Sequence, residues 1–208
     1  MVTHPYGTPE YNSLQLVAPS PGVGPGIGGS VLKAPLGTAL PVGTEQVLNA
    51  AFTDLGYVDE NGIRDREERR NTDVFAWGGG LIGNLQQSYA RTLTIRFMQF
   101  LNPAVLEVAF GNANVTVTPP TTYSGTQVAA ALNANLLDDL SWVFQGFYQS
   151  ALVAKVVPIG RVVQVAEMDM THRQFTSVEA TLKCFPDTNN NHEYLYVNDG
   201  VLSSGGYS

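Results

Sequence analysis

Residues 174–185 alternate between two chemistries. Thr176, Val178, Ala180, Leu182 and Cys184 fall on one side, and Ser177, Glu179, Thr181 and Lys183 on the other. A helix cannot use that pattern, because its side chains repeat about every 3.6 residues rather than every two. The segment reads as a strand with one face in a core. Leu93, Ile95 and Phe97 set against Thr92, Thr94 and Arg96 repeat the period. Further runs at 142–149, 151–157 and 161–170, then Tyr194 to Val197 and an Asp199-Gly200 turn, make most of the second half strand. The expected fold is mainly β and mostly antiparallel.

Two helices interrupt this reading. Asn102-Pro103 opens one that runs to Phe110, with Pro at its first position and Gly111 closing it. Thr44 is placed to cap another, with Val47, Leu48, Ala51, Phe52 and Leu55 on one apolar face and Gly56 as its end. A hairpin follows, in which Tyr57-Val58 and Ile63 flank Asn61-Gly62, the pair a type I′ turn demands. That register sets Asp59 across from Arg64, an opposite-charge pair worth about 0.2–1 kcal/mol. Val115 and Val117 suggest another strand. For residues 124–137, Ala129 to Leu132 favour a helix by propensity, while a strand pairing with 113–118 also fits.

The first 43 residues contain 15 Pro or Gly and only two charged side chains, Glu10 and Lys33. Such a stretch cannot build a core alone, so residues 1–43 read as an extended arm held by a neighbouring subunit. Residues 44–208 read as a single domain, with a C-terminal extension at 198–208. Only 14 % of the chain is charged, against the usual quarter, which points to a surface largely covered by partners. The net charge of −7, and the absence of any Lys or Arg from 101–150, argue against gripping nucleic acid. They suit an acidic wall past which nucleic acid slides. Residues 59–73 concentrate six acidic and four basic side chains. They read as a solvated loop or, functionally, as one that docks on another subunit through complementary charge.

One cysteine excludes an internal disulfide and a thiolate metal cluster. No basic stretch followed by an apolar one opens the chain, and no apolar run reaches membrane-spanning length, so synthesis in a cytoplasm is expected. Cys184 with His172 or His192 could form a nucleophile and base, but Cys184 continues an apolar strand face and reads as a structural thiol. His4, His172 and His192 have no metal-ligand spacing. The run from Gly22 to Gly29 lacks the strand, helix and Lys of a phosphate-cradling loop. Asp138-Asp139 reads as a surface turn. Tyr6, Tyr11, Trp77, Trp142 and Tyr148 read as core or interface anchors, since no Lys or Arg interleaves with them as in a base-stacking platform. No catalytic residue, cofactor or metal ligand is indicated.

Ala39-Leu40-Pro41, then Ala50 to Val58, the Asp59 to Gly62 turn and Trp77-Gly78-Gly79 follow one another in a distinctive order. Val157-Pro158, Gly160 to Val163, Val165 and Glu167, then Glu179 to Leu182 with Phe185-Pro186-Asp187, complete it. The order resembles the major tail tube proteins of long-tailed, non-contractile (siphovirus-type) bacteriophages, most of all those infecting actinobacteria, over about residues 36–197. The resemblance implies a β-sandwich or flattened barrel with a short flanking helix, and a β-hairpin within 118–140. It also implies a structural virion protein, assembled in the host cytoplasm, whose hexameric rings stack into the tail tube that delivers the genome. Partners implied are further copies of the chain, tape-measure, tail terminator and distal tail or baseplate proteins, and viral double-stranded DNA that passes without sequence-specific binding. No membrane insertion is implied. The arm and loop 59–76 are the candidate ring-to-ring contacts, through Tyr6, Tyr11, Arg64, Arg66, Glu67, Arg69, Arg70 and Trp77. A tail terminator or other tail ring protein is one alternative; a β-sandwich carbohydrate-binding module is the other.

Overall fold

The computed structural model describes residues 27–148, 150–166, 168 and 176–201. Their strands are β1 (Ile27–Pro35), β2 (Thr53–Asp54), β3 (Val58–Phe75), β4 (Leu81–Phe97), β5 (Val115–Thr118), β6 (Gln127–Ala130), β7 (Leu140–Tyr148), β8 (Ala151–Val165), β9 (Val178–Phe185) and β10 (Tyr194–Asn198). Helix α1 (Pro103–Phe110) lies between β4 and β5. One antiparallel sheet runs β2-β1-β7-β8-β9-β4-β3, with β10 paired to β8; β5 and β6 form a separate ribbon. The fold is mainly β.

The long strand β8 organises the sheet. One side pairs with β7; along the other, β10 takes Leu152–Val156 and β9 takes Ile159–Val165, so these two lie end to end. Pro158 falls between them, in a bulge where Pro158 and Ile159 of β8 oppose Ser141 of β7, a place where no ladder needs its missing N–H. At the edges, only Leu55 to Tyr57 carry the chain from β2 to β3, the two ends of the strand order. The Leu55 N–H donates to the Val31 carbonyl of β1 (2.9 Å), and the Met98 N–H donates to the Tyr57 carbonyl (2.8 Å). The sheet therefore curls until its edges are one short crossing apart. Among the described residues no ladder closes that gap, so the curl is not a closed barrel.

Inside the curl, Val31, Leu93, Ile95, Phe97, Trp142, Phe144, Val157, Val162, Val178, Ala180, Leu182 and Cys184 form the core with Leu55. Both alternating segments put their apolar sides there, as their period requires. Helix α1 adds Ala104, Val105, Val108 and Ala109. Its bounds are those its caps predict: the Asn102 side chain accepts the Ala104 N–H at 3.0 Å, Pro103 opens the first turn, and Gly111 ends it at φ +95°. Lys33, nearly buried on β1, reaches Glu107 on α1 at 2.6 Å and ties helix to sheet.

Several expectations change. Thr44 caps no helix. Asn49 and Asp54 instead fold their side chains onto the N–H groups of Ala51 (2.9 Å) and Gly56 (2.8 Å), local turns that compete with a helix. Val47 is 92 % exposed while Leu55 is buried, so their helix-like spacing does not mark one face. Asn61-Gly62 makes no hairpin either. Only Gly62 has positive φ, and Asp59 accepts the Asn61 N–H at 2.9 Å. Residues 59–62 bulge out between the pairs Val58↔Phe97 and Ile63↔Ile95, because Val58 and Ile63 both pack on the core against β4. Asp59 therefore does not face Arg64 across a turn.

The charged segment 59–76 is strand, not loop, up to Phe75, and its turn is at Trp77 to Gly80. The two runs expected at 151–157 and 161–170 are a single strand, β8, which ends at Val165. Within 124–137 the strand alternative holds, with β6 pairing β5. The sheet also reaches into the Pro/Gly-rich stretch, where Ile27–Pro35 pairs along the whole of β7.

Candidate functional site

The feature that sets this surface apart is the β3–β4 hairpin. Strand β4 pairs with β9 only from Phe97 back to Arg91; towards Leu81, among the described residues, it pairs with β3 alone. Every residue from Arg64 to Ser88 except Gly83 is exposed, so this ribbon stands clear of the body as a single layer. From Arg91 to Leu81, at about 3.3 Å per residue, it extends roughly 33 Å. Cross-strand chemistry makes such charged segments pair: Arg69 lies over the Tyr89 ring (4.8 Å), and Asn84 donates to Asp73 at 2.6 Å. The turn is set by Gly79 at φ +81° and by the Ala76 N–H donating to the Gly80 carbonyl at 2.7 Å.

Its end is apolar. Val74, Phe75, Trp77, Leu81, Ile82 and Leu85 are all exposed, Trp77 completely. Large aliphatic and aromatic side chains grouped on a projection mark an interaction surface.

Its root is ionic. Arg91 Nη2 meets Asp65 Oδ2 at 2.5 Å, Lys155 Nζ binds Asp65 and reaches Glu193 Oε1 at 2.9 Å, and Arg91 Nη1 touches Glu67 at 3.3 Å. Arg91 Nε and Glu193 Oε2 approach to 3.0 Å, but at an angle that leaves both atoms without a hydrogen bond. The Glu193 side chain is only 4 % exposed, so its charge relies on these two cations. Hydrogen bonding to Asp65 raises the Arg91 pKa further above its usual value. Burial works against the charge on Lys155 and on Asp65. Their mutual hydrogen bond and their other partners outweigh it, raising the Lys155 pKa and lowering that of Asp65.

Of the residues expected at contacts, Arg64, Arg66, Glu67, Arg69 and Arg70 lie exposed along β3, and Trp77 sits at the turn. Tyr6 and Tyr11 lie outside the described residues. Trp142 is core, its indole N–H donating to the Gly160 carbonyl at 3.1 Å. Residue-by-residue reading missed Asp65, Arg91, Lys155 and Glu193 as a group. The available signal was Lys155, the lone charge in the apolar run from Ala151 to Ile159.

Elsewhere the candidate chemistry is occupied by structure. Cys184 is buried, and burial pushes its thiol up to about 12; His192 turns its Nδ1 to the Cys184 carbonyl (3.0 Å), not to the sulfur. His4 and His172 lie outside the described residues. Asp139 pairs with Arg161 through two bonds of 2.9 and 2.6 Å. A cleft of about 780 Å³ beside it is lined by Lys33, Glu107, Asp138 and Trp142 among others. Among the described residues no His, Cys, Asp and Glu group is placed to hold a metal ion, and no helix is long and apolar enough to cross a membrane. No protein-family model matches the chain, and no curated protein matches it in sequence.

Proposed function

We propose that this chain is a structural virion protein: the subunit whose stacked rings, six copies to a ring by the sequence resemblance, form the tail tube of a long-tailed bacteriophage. The observation that carries the reading is the free-standing hairpin. An isolated two-stranded ribbon is at best marginal in water, and this one ends in a cluster of exposed apolar side chains. A neighbouring copy that covers the tip supplies the missing burial. Past the other end of β4, Leu101 is exposed, as are Leu132 and Leu136 beyond β6. Contact between unlike surfaces of successive copies is head-to-tail, and repeated without closure it produces a filament. The outer edges of β2 and β3, unpaired among the described residues, offer backbone groups for side-to-side pairing within a ring. An acidic balance lets the duplex pass without tight phosphate contacts.

Sedimentation velocity over a concentration series tests this, comparing the unaltered chain with a Phe75→Ser, Trp77→Ser variant. The reading expects large assemblies from the first and monomers from the second, with equal melting temperatures at low concentration. Identical sedimentation of the two at every concentration would contradict it.

A further inference from the structure

We propose that Asp65, Arg91, Lys155 and Glu193 form a latch that sets the angle at which the β3–β4 hairpin leaves the body. Opened, the latch lets the hairpin swing while the body stays folded. This goes beyond the tail-tube reading and does not depend on what the tip docks against.

The hairpin is held to the body at few points. Its ladder to the body stops at Arg91↔Cys184. Around that last rung, among the described residues, the side-chain ties to the body are the Asp65–Lys155 ion pair, level with Leu93 just to the body side, the contact of Arg91 itself with Glu193 (3.0 Å), and, on the tip side, the edge-on packing of Tyr89 against His192, centroids 4.8 Å apart. The cluster joins four segments at that point: β3 through Asp65, β4 through Arg91, β8 through Lys155, and the loop between β9 and β10 through Glu193. Asp65 takes both cations, and so does Glu193. Removing any one charge leaves an unbalanced neighbour, so the knot opens as a unit.

An apolar plug here would only extend the core. Charged groups do something different, because water and ions compete for them. The side chains of Asp65, Arg91 and Lys155 keep 20–24 % of their surface exposed, enough for solvent to enter. Space for movement exists as well: among the described residues, β10 pairs only with β8, and the distal half of β4 pairs only with β3.

The groups around Asp65 are Arg91 and Lys155, which are positive, and Glu67 and Glu193, which are acidic; Tyr89, His192 and Cys184 lie at the margin. Protonating Asp65 removes one of the two anions that both cations share. Its pKa lies below 3.8 in the fold, so this arm of the latch holds above that value and fails as pH falls through the lowered one. Salt loosens the cluster at neutral pH, since screening shortens to about 3 Å at 1 M.

Spin labels at Gln87→Cys on the hairpin and Gln164→Cys on β8, both exposed positions, read the angle as a distance distribution. Cys184 is buried and stays unlabelled. Labelled chains are diluted into unlabelled protein so that only distances within one chain count. The latch predicts one narrow distribution at low salt and neutral pH. It predicts at least a doubling of its width in Glu193→Gln, in Lys155→Met, and in the labelled chain with the cluster intact at high salt, with the circular dichroism of the body unchanged. Distributions that stay narrow in both folded variants and at high salt would overturn it. Should either variant fail to fold, the salt and acid series on the intact cluster decides. A failure of assembly alone, with the latch response intact, would count against the tail-tube reading and not against the latch.

Discussion

Leu55 and Val47 share one apolar face if residues 44–56 are a helix, and have nothing in common if they are not. In the fold, Leu55 is wholly buried where the chain crosses between the sheet edges, and Val47 is 92 % exposed. Truncating a buried Leu to Ala costs about 2–5 kcal/mol, the higher figures belonging to sites that cannot collapse. The crossing is pinned on one side by the Leu55–Val31 bond and on the other by the Met98–Tyr57 bond. It cannot close over the lost side chain, so Leu55→Ala should cost about 3–4 kcal/mol. For a domain of this size that lowers Tm by roughly 6–16 °C. Val47→Ala should stay within about 0.5 kcal/mol, as surface changes do. Thermal unfolding followed by circular dichroism at one protein concentration measures both. Comparable losses in the two variants, or a loss below about 1 kcal/mol for Leu55→Ala, would refute the crossing geometry, because a fully buried Leu costs more than that.

Other consequences are local. Asn102→Ala removes the cap on α1 and should cost about 1 kcal/mol in chemical denaturation; no change would mean that the helix start is held by packing alone. Native Cys184 should resist a thiol reagent and react fully once unfolded. Its thiol, pushed up to about 12 from 9.0, contributes stability that is complete below pH 9.0 and lost as pH rises through about 12, a loss that Cys184→Ser should abolish. At the acid end, Asp65 contributes stability that is present above 3.8 and disappears as pH falls through its lowered folded value. An Asp65→Asn variant should flatten that part of the acid melting profile.

What could be read from the sequence were the elements whose own residues report their burial. The alternation in β4 and β9 names their core faces because each strand has one apolar side, and Asn102, Pro103 and Gly111 bracket α1 because caps are local chemistry. The hairpin could not be read that way. Residues 64–75 have no apolar face to alternate; Arg69 and Arg70 pair with Glu67 and Glu68 along their own strand, and the cation on β4 that pairs with Asp65 and Glu67, Arg91, is 24 or more positions away. Asn61-Gly62 has the composition of a turn, yet Ile63 gains more by packing under Ile95 than by reversing the chain. The ionic root is least visible of all, since Asp65, Arg91, Lys155 and Glu193 converge only once β8, β9 and β4 are in place.

Copies of this chain are proposed to stack head-to-tail through the hairpin into a hollow tube. Negative-stain electron microscopy of the purified protein, across a concentration series and with end-on views averaged, tests it directly. Hollow filaments or rings with six-fold end views are expected, and so is their loss when Phe75 and Trp77 are both changed to Ser. Particles no larger than a monomer at every concentration would contradict it.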